Sequence, residues 1–174
     1  TTLEEIEGVL YTQDTNKPYS GPVFSLYRNG KKKDEITLKD GKRDGLFTMW
    51  YDNGQNEWEI LWKNGKQHGL FTMWYDNGQI KTEGSFKDGV YDGLLTNWYD
   101  TGQKVSEEYY KDGKTEGLET FWYVNGQKYK ETTYKNGEVN GLLIYWYDNG
   151  QKEYEGTWEN GKKISVKEWN QDGS

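Results

Sequence analysis

Residues 50–55 read Trp-Tyr-Asp-Asn-Gly-Gln, and the same six residues return at 74–79 and 146–151. Edited copies stand at 98–103 (Trp-Tyr-Asp-Thr-Gly-Gln) and 122–127 (Trp-Tyr-Val-Asn-Gly-Gln), with a degenerate first copy, Leu-Tyr-Arg-Asn-Gly-Lys, at 26–31. Neighbouring copies are 24 residues apart. Three glycine rows keep the same phase: one from Gly21 to Gly141, one from Gly30 to Gly150 and one from Gly41 to Gly161. Self-similarity at a fixed period of this size marks an array in which each unit buries itself against its neighbours. The phase defines six units, 21–44, 45–68, 69–92, 93–116, 117–140 and 141–164, between an N-terminal cap (1–20) and a C-terminal cap (165–174).

Each unit holds two strand-like runs and two turns. In the second, Leu46 to Tyr51 and Trp58 to Trp62 are rich in aromatic and β-branched side chains, as strands are. Asp52-Asn53-Gly54 and Lys63-Asn64-Gly65 are reversal signals, because glycine tolerates the positive φ of tight turns. No window carries a capped 3.6-residue apolar period, so no helix is expected. The expected fold is all-β: an elongated, single-layer, twisted antiparallel meander of six 24-residue hairpin repeats with short caps. In the N-terminal cap, Leu3, Ile6, Val9, Leu10 and Tyr11 read as a strand and Gln13 to Lys17 as a turn. Beyond Gly161 the pattern decays: Ser165 stands where glycine is expected and Asn170 where tryptophan is, with Trp169 one residue early.

Period-two alternation divides the side chains between two faces. Leu46, Thr48 and Trp50 share one side of their strand, and the row Trp50, Trp74, Trp98, Trp122 and Trp146 reads as structural. The leucines at 46, 70, 94, 118 and 142, the tryptophans and the ring at Trp62 are expected to form the better-buried face. Phe47, Met49 and Tyr51 point the other way. On that side the repeat changes character, with Met49, Met73, Asn97, Phe121 and Tyr145 at one position. Such variation suits a surface selective for one partner. The candidate contact residues are therefore Tyr51, Tyr75, Tyr99, Tyr123 and Tyr147 with Met49, Met73 and Phe121.

Composition narrows the function classes. Hydrophobic residues make up only 32%, yet nine Trp and fifteen Tyr supply burial through large side chains with a polar tip. The net charge of -7 disfavours nucleic acid and anionic lipid, which select for excess Lys and Arg, and favours a protein partner of basic character. Without cysteine there is no disulfide framework, thiolate metal site or thiol nucleophile. The chain opens on Thr1, which favours an exported location in the periplasm or at the cell surface.

No residue pattern reads as catalytic, as a cofactor site or as a metal site. Glu35, Glu59, Glu83, Glu107, Glu131 and Glu155 recur in register. Copies two strands apart would stand roughly 9–10 Å from one another, too far to share a metal. They read as structural, each accepting backbone N–H groups of a neighbouring turn. His68, the single histidine, occupies a turn position held elsewhere by Asp44, Asp92, Glu116 and Asn140. The Asp-Asn-Gly turns are too short for a calcium loop. Thr48, Thr72, Thr96 and Thr120 read as strand-forming residues that pair across the sheet.

In these residues the chain resembles the bacterial variant of the MORN repeat: a Gly-Leu opening, Trp-Tyr, Asn-Gly-Gln, an in-register Glu and a closing Lys-Asn/Asp-Gly. The resemblance covers roughly residues 9–164, and Lys17-Pro18-Tyr19-Ser20-Gly21 is similar to an N-terminal signature of the group. It extends to proteins labelled YwqK-type antitoxins of toxin–antitoxin systems. It implies an antiparallel repeat sheet and, for some members, neutralisation of a toxin by direct binding, which would place the chain in the cytoplasm. The expected function is a non-enzymatic protein-binding scaffold acting through an acidic, aromatic concave face. The alternatives are an extracytoplasmic carbohydrate-binding module and a structural subunit stacked edge to edge.

Overall fold

A computed structural model describes residues 3–6, 9–12 and 17–174, with side chains described for Leu10, Thr12 and residues 17–174. The described chain is all-β, an open antiparallel meander of hairpins without a helix. It falls into two compact units, one of residues up to Gln79 with Phe86–Val90, the other of Ile80–Ser85 with Tyr91–Ser174.

In the first unit, Leu3–Ile6 pairs with Val9–Thr12, and Val9–Thr12 pairs with Lys17–Pro18. The run expected as one strand is therefore a hairpin. Lys17 begins a strand instead of closing a turn, and Gln13 to Asn16 lie outside the described residues. Backbone bonds from Leu10 N to Gly41 O (2.9 Å) and from Gly41 N to Tyr19 O (2.7 Å) fasten this cap to the first hairpin turn. Gly21–Leu26, Lys32–Lys39, Gly45–Trp50, Asn56–Lys63 and Lys66–Trp74 then pair in chain order. In the second unit, residues 80–85 pair with Gly93–Trp98. Lys104–Lys111, Gly117–Trp122, Lys128–Lys135, Glu138–Trp146, Lys152–Glu159 and Lys162–Glu168 follow in order.

Two turns alternate, and each follows from its residues. At Asn64-Gly65 both φ angles are positive (50° and 80°), the two-residue type I′ reversal whose twist matches that of the strands. In the Tyr51–Gln55 turn, Gly54 N bonds Tyr51 O at 2.9 Å, Tyr51 N bonds Gln55 O at 2.8 Å, and Gln55 N bonds Asn53 Oδ1 at 2.8 Å. This turn carries a register shift at Met49/Trp50, where Trp50 faces Asn56. A second irregularity falls where Leu38 faces Arg43 but Glu35 already faces Thr48, so Asp44-Gly45 adds two residues to one strand. Gly45 takes φ of 125° there, in the region that favours glycine.

The register corrects the expected faces. Gly45 stands opposite Trp62, Phe47 opposite Ile60 and Met49 opposite Trp58. Trp62 thus shares a side with Phe47 and Met49, not with Leu46 and Trp50. Alternation gives parity within a strand, but the turn and its bulge set parity between strands. The core lies on the Phe47 side: Ile36, Leu38, Ile60 and Phe71 are buried in the first unit, and Leu95 with Ser106, Glu119 and Thr132 in the second. Leu46 and Leu70 in the first unit, and Leu94, Leu118 and Leu142 in the second, are 48–75% exposed. The expectation that these leucines are core is overturned.

The C-terminal decay is also resolved. Asn170 N bonds Ser174 O and Gly173 N bonds Asn170 O, both at 2.8 Å, as Tyr147 N bonds Gln151 O and Gly150 N bonds Tyr147 O. Trp169 to Ser174 is therefore a seventh copy of the Trp-Tyr turn, reached 23 residues after Trp146 rather than 24. The residue missing before it, between Gly161 and Ile164, accounts for the shifted phase. The strand leading in, Lys162–Glu168, is exposed throughout. Ser165, Lys167 and Glu168 stand where the sixth repeat has Leu142, Ile144 and Tyr145.

Candidate binding surfaces

The tyrosine row is tied into the fold. Tyr27 Oη donates to Trp50 O at 2.6 Å and Tyr51 Oη to Trp74 O at 2.7 Å. Tyr99 donates to Trp122 O at 3.3 Å, Tyr123 to Trp146 O at 2.8 Å and Tyr147 to Trp169 O at 3.0 Å. Each phenol reaches the tryptophan carbonyl of the next repeat. Asn53 and Asn125 add the same forward step, from Nδ2 to Asp76 O and Asp148 O. Burial holds the Tyr51 and Tyr123 phenols above their ordinary range, with the charges of Glu57 and Glu153 adding to it. Tyr75 sits half-buried in the same row. Met49, Met73 and Phe121 are half-buried too, on the core side of their strands.

That core side differs between the units. In the first it is built on rings, with one polar pair where Ser25 Oγ donates to Asp34 Oδ2: Phe47 meets Trp58 edge-on at 5.3 Å, Phe71 lies 5.0 Å from Phe86, and Arg43 covers Trp62 at 4.8 Å. In the second it holds a polar chain. Thr82 Oγ1 donates to Asn97 Oδ1, Asn97 Nδ2 to Ser106 Oγ, Ser106 Oγ to Glu108 Oε1 and Tyr110 Oη to Glu108 Oε2. Burial, with the hydrogen bond to Glu108 and its charge, pushes Tyr110 up to about 12. Beside it Lys130 Nζ meets Glu119 Oε2 at 2.7 Å, with both side chains largely buried. Burial pulls the Lys130 amine down, but the hydrogen bond and charge of Glu119 outweigh it and hold the amine above its usual value.

The opposite side carries three rows in each unit. The middle one alternates carboxylate and hydroxyl: Glu35, Thr48, Glu59 and Thr72 in the first unit, and Glu83, Thr96, Glu107, Thr120 and Glu131 in the second. Among the described residues these glutamates meet side chains, contrary to the expectation that they accept backbone turn groups. Glu35, Glu107, Glu131 and Glu155 pair with the lysine three residues earlier, and Glu59 accepts from Asn56 Nδ2. Lys104, Lys128 and Lys152 also lie about 6 Å from the rings of Trp122, Trp146 and Trp169. The capping of turn N–H groups falls to the residue before the repeat glycine. Asp44 accepts from Asn64 N, Asp92 from Asp112 N and Glu116 from Asn136 N. The acidic and amide character of that row is the signal the sequence carries for this role. His68, in the same row, holds Nδ1 3.9 Å from Asp88 Oδ1.

The outermost row sets the exposed leucines against mixed partners, with Leu118 opposite Thr133 and Leu142 opposite Thr157 in the second unit. In the first unit Leu46 stands directly opposite Leu61, and a Cβ on Gly69, the residue before Leu70, would sit 3.3 Å from Leu61 Cδ1. In the second unit Leu94 faces Tyr109. These side chains are among the most exposed large hydrophobic groups described.

The MORN repeat variant model matches residues 67–88, 91–112, 115–136 and 139–160. Those four windows keep the period of 24 and cover half of the chain. The chain belongs to the MORN repeat variant family. Each MORN window begins two residues before the repeat glycine and ends on the first residue of the type I′ turn, so it frames one Trp-Tyr hairpin. MORN repeat proteins are generally non-enzymatic repeat scaffolds. No curated protein matches this chain.

Proposed function

We propose that this MORN-repeat chain is a non-enzymatic protein-binding scaffold, and that its contact surface is the exposed leucine row. The observation that carries the reading is Leu46, Leu61 and Leu70, which are 50%, 45% and 75% exposed on one unit, with Leu46 directly opposite Leu61. Apolar side chains collected on one open sheet face favour burial against a partner. Several tyrosines first considered for contact spend their hydroxyls inside the array, and the Met49, Met73 and Phe121 side packs against the core. That arrangement supports them as scaffold, and it offers less to the carbohydrate-binding alternative, which wants free ring faces. The net charge of -7 supports a partner with a basic rim, and toxin neutralisation is one form such binding takes.

Replacing Leu46, Leu61 and Leu70 together by Ser tests this. The triple variant keeps its unfolding midpoint but no longer retains the partner that the unmodified chain retains in pull-down, and retention by the unmodified chain weakens as salt rises. Undiminished retention by a folded triple variant would place the contact elsewhere.

A further inference from the structure

The last strand of the second unit, Lys162–Glu168, pairs with Lys152–Glu159 on one side, and among the described residues no strand lies on its other side. It is exposed along its whole length, with Ile164 at 62% and Val166 at 41%. The seventh turn fixes the direction of its backbone groups. Trp169 N bonds Glu153 O at 3.0 Å, so Trp169 turns its polar backbone groups inward, and by alternation Lys167 and Ser165 do the same. Val166 and Glu168 therefore turn theirs outward, as does Asn170, whose N–H is taken by Ser174 O. The N–H and C=O groups of Val166 and Glu168 have no strand to pair with among the described residues, which is the arrangement that accepts one further strand.

Charge decides which strand fits. Lys162, Lys163 and Lys167 set three cations on this edge against the single carboxylate of Glu168. The row that ends on Lys167 runs through Glu107, Thr120, Glu131, Ile144 and Glu155, so each uncharged residue in it stands between two glutamates of neighbouring strands. Lys167 takes the same kind of place, with Glu155 on its inner side and an open position on its outer side. Glu155 is bonded to Lys152, and Lys167 adds only its charge. A glutamate arriving opposite Lys167 continues the alternation and meets that ammonium. Opposite charges facing across strands stabilise a sheet, and like charges destabilise it. A second copy of the same edge is therefore disfavoured: the antiparallel register that sets Lys162 against Glu168 also sets Lys163 against Lys167.

We infer that the Lys162–Glu168 edge binds an extended acidic segment of a partner protein, added as one more antiparallel strand. The segment's backbone bonds Val166 and Glu168, its carboxylates oppose Lys163 and Lys167, and a β-branched apolar residue opposes Val166. This surface is separate from the leucine row, and it selects the opposite charge in what it binds.

The probe is the peptide Lys-Glu-Val-Thr-Val-Glu-Glu, blocked at both ends, with its first residue designed to face Glu168 and its last to face Lys162. It is titrated into the isotope-labelled chain at constant ionic strength while the backbone amide resonances are followed. In the free chain the Val166 and Glu168 amides exchange with solvent quickly and the Lys167 amide slowly. The peptide is expected to shift the Val166 and Glu168 amides saturably and to slow their exchange, and the same peptide with lysine for each glutamate does neither. Val166→Pro removes an outward N–H and no bond within the sheet, and it weakens binding of the acidic peptide by about tenfold or more while the circular dichroism spectrum stays unchanged. Lys163→Glu with Lys167→Glu keeps every backbone group and reverses the preference between the two peptides. The inference is overturned if both peptides bind alike, if the charge reversal leaves the preference as it was, or if no saturable shift occurs. It is equally overturned if the Val166 and Glu168 amides of the free chain gain protection as protein concentration rises, because a second copy then holds the edge. The leucines are untouched throughout, so failure here leaves the partner-capture experiment standing.

Discussion

Tyr123 joins two repeats through one side chain: its ring packs 5.1 Å from Tyr129, and its hydroxyl reaches Trp146 O at 2.8 Å. Tyr123→Phe removes the donor and keeps the ring, so it is expected to cost about 0.5–1.5 kcal/mol in urea unfolding. Gly156 is fixed by packing rather than by backbone angle. A Cβ there would stand 2.2 Å from the Trp158 ring and 2.9 Å from Tyr154 Oη. Gly156→Ala is expected to destabilise by about 1–3 kcal/mol through overpacking, and an unchanged midpoint would show that the rings move aside freely. Tyr110 supplies a pH dependence. Its phenol is raised from 10.0 to about 12, so the unfolded chain ionises first. Its contribution is complete below pH 10 and is lost as pH rises toward about 12. The urea midpoint should fall across that window, less steeply in Tyr110→Phe.

At the scale of the hairpin, the turns and the alternation within a strand are legible in the sequence, and the links between strands are not. The reversals at Asn53-Gly54 and Asn64-Gly65 announce themselves, because positive φ favours glycine, asparagine and aspartate. The alternation of Phe47 and Met49 against Leu46 and Thr48 is equally plain within one strand. What alternation withholds is how two strands align. The shift at Trp50 and the two-residue bulge at Asp44-Gly45 decide which ring of the second strand joins which face. Trp62 therefore joins Phe47 and Met49, and the leucines stand on the exposed side. The tyrosines read as contact residues because their link forward is to a backbone carbonyl, which no residue pattern displays. The row before the repeat glycine was read as simple turn formers, yet its carboxylates hold the next hairpin. Asp92→Ala removes the acceptor for Asp112 N at 3.2 Å. It should cost about 0.5–1.5 kcal/mol and speed amide exchange at Asp112.

Across the molecule, the repeat is the unit of construction. Every forward link described joins one repeat to the next, so excising residues 117–140 within the second unit should leave Glu116 meeting Gly141 in phase. The shortened chain is expected to fold, with a lower urea dependence because it exposes less surface on unfolding. Excising only 117–128 breaks the phase and should abolish cooperative unfolding. The same regularity puts the core on the Phe47 side and leaves the leucine row outside, which is what makes that row available to a partner. Urea unfolding of Leu94→Ser/Leu118→Ser/Leu142→Ser beside Leu95→Ala measures this directly. The triple variant should unfold within about 1 kcal/mol of the unmodified chain, while Leu95→Ala, at a position 8% exposed, loses about 2 kcal/mol or more. A triple variant that is badly destabilised beside a tolerant Leu95→Ala would put the core on the other face and remove the basis for the binding surface.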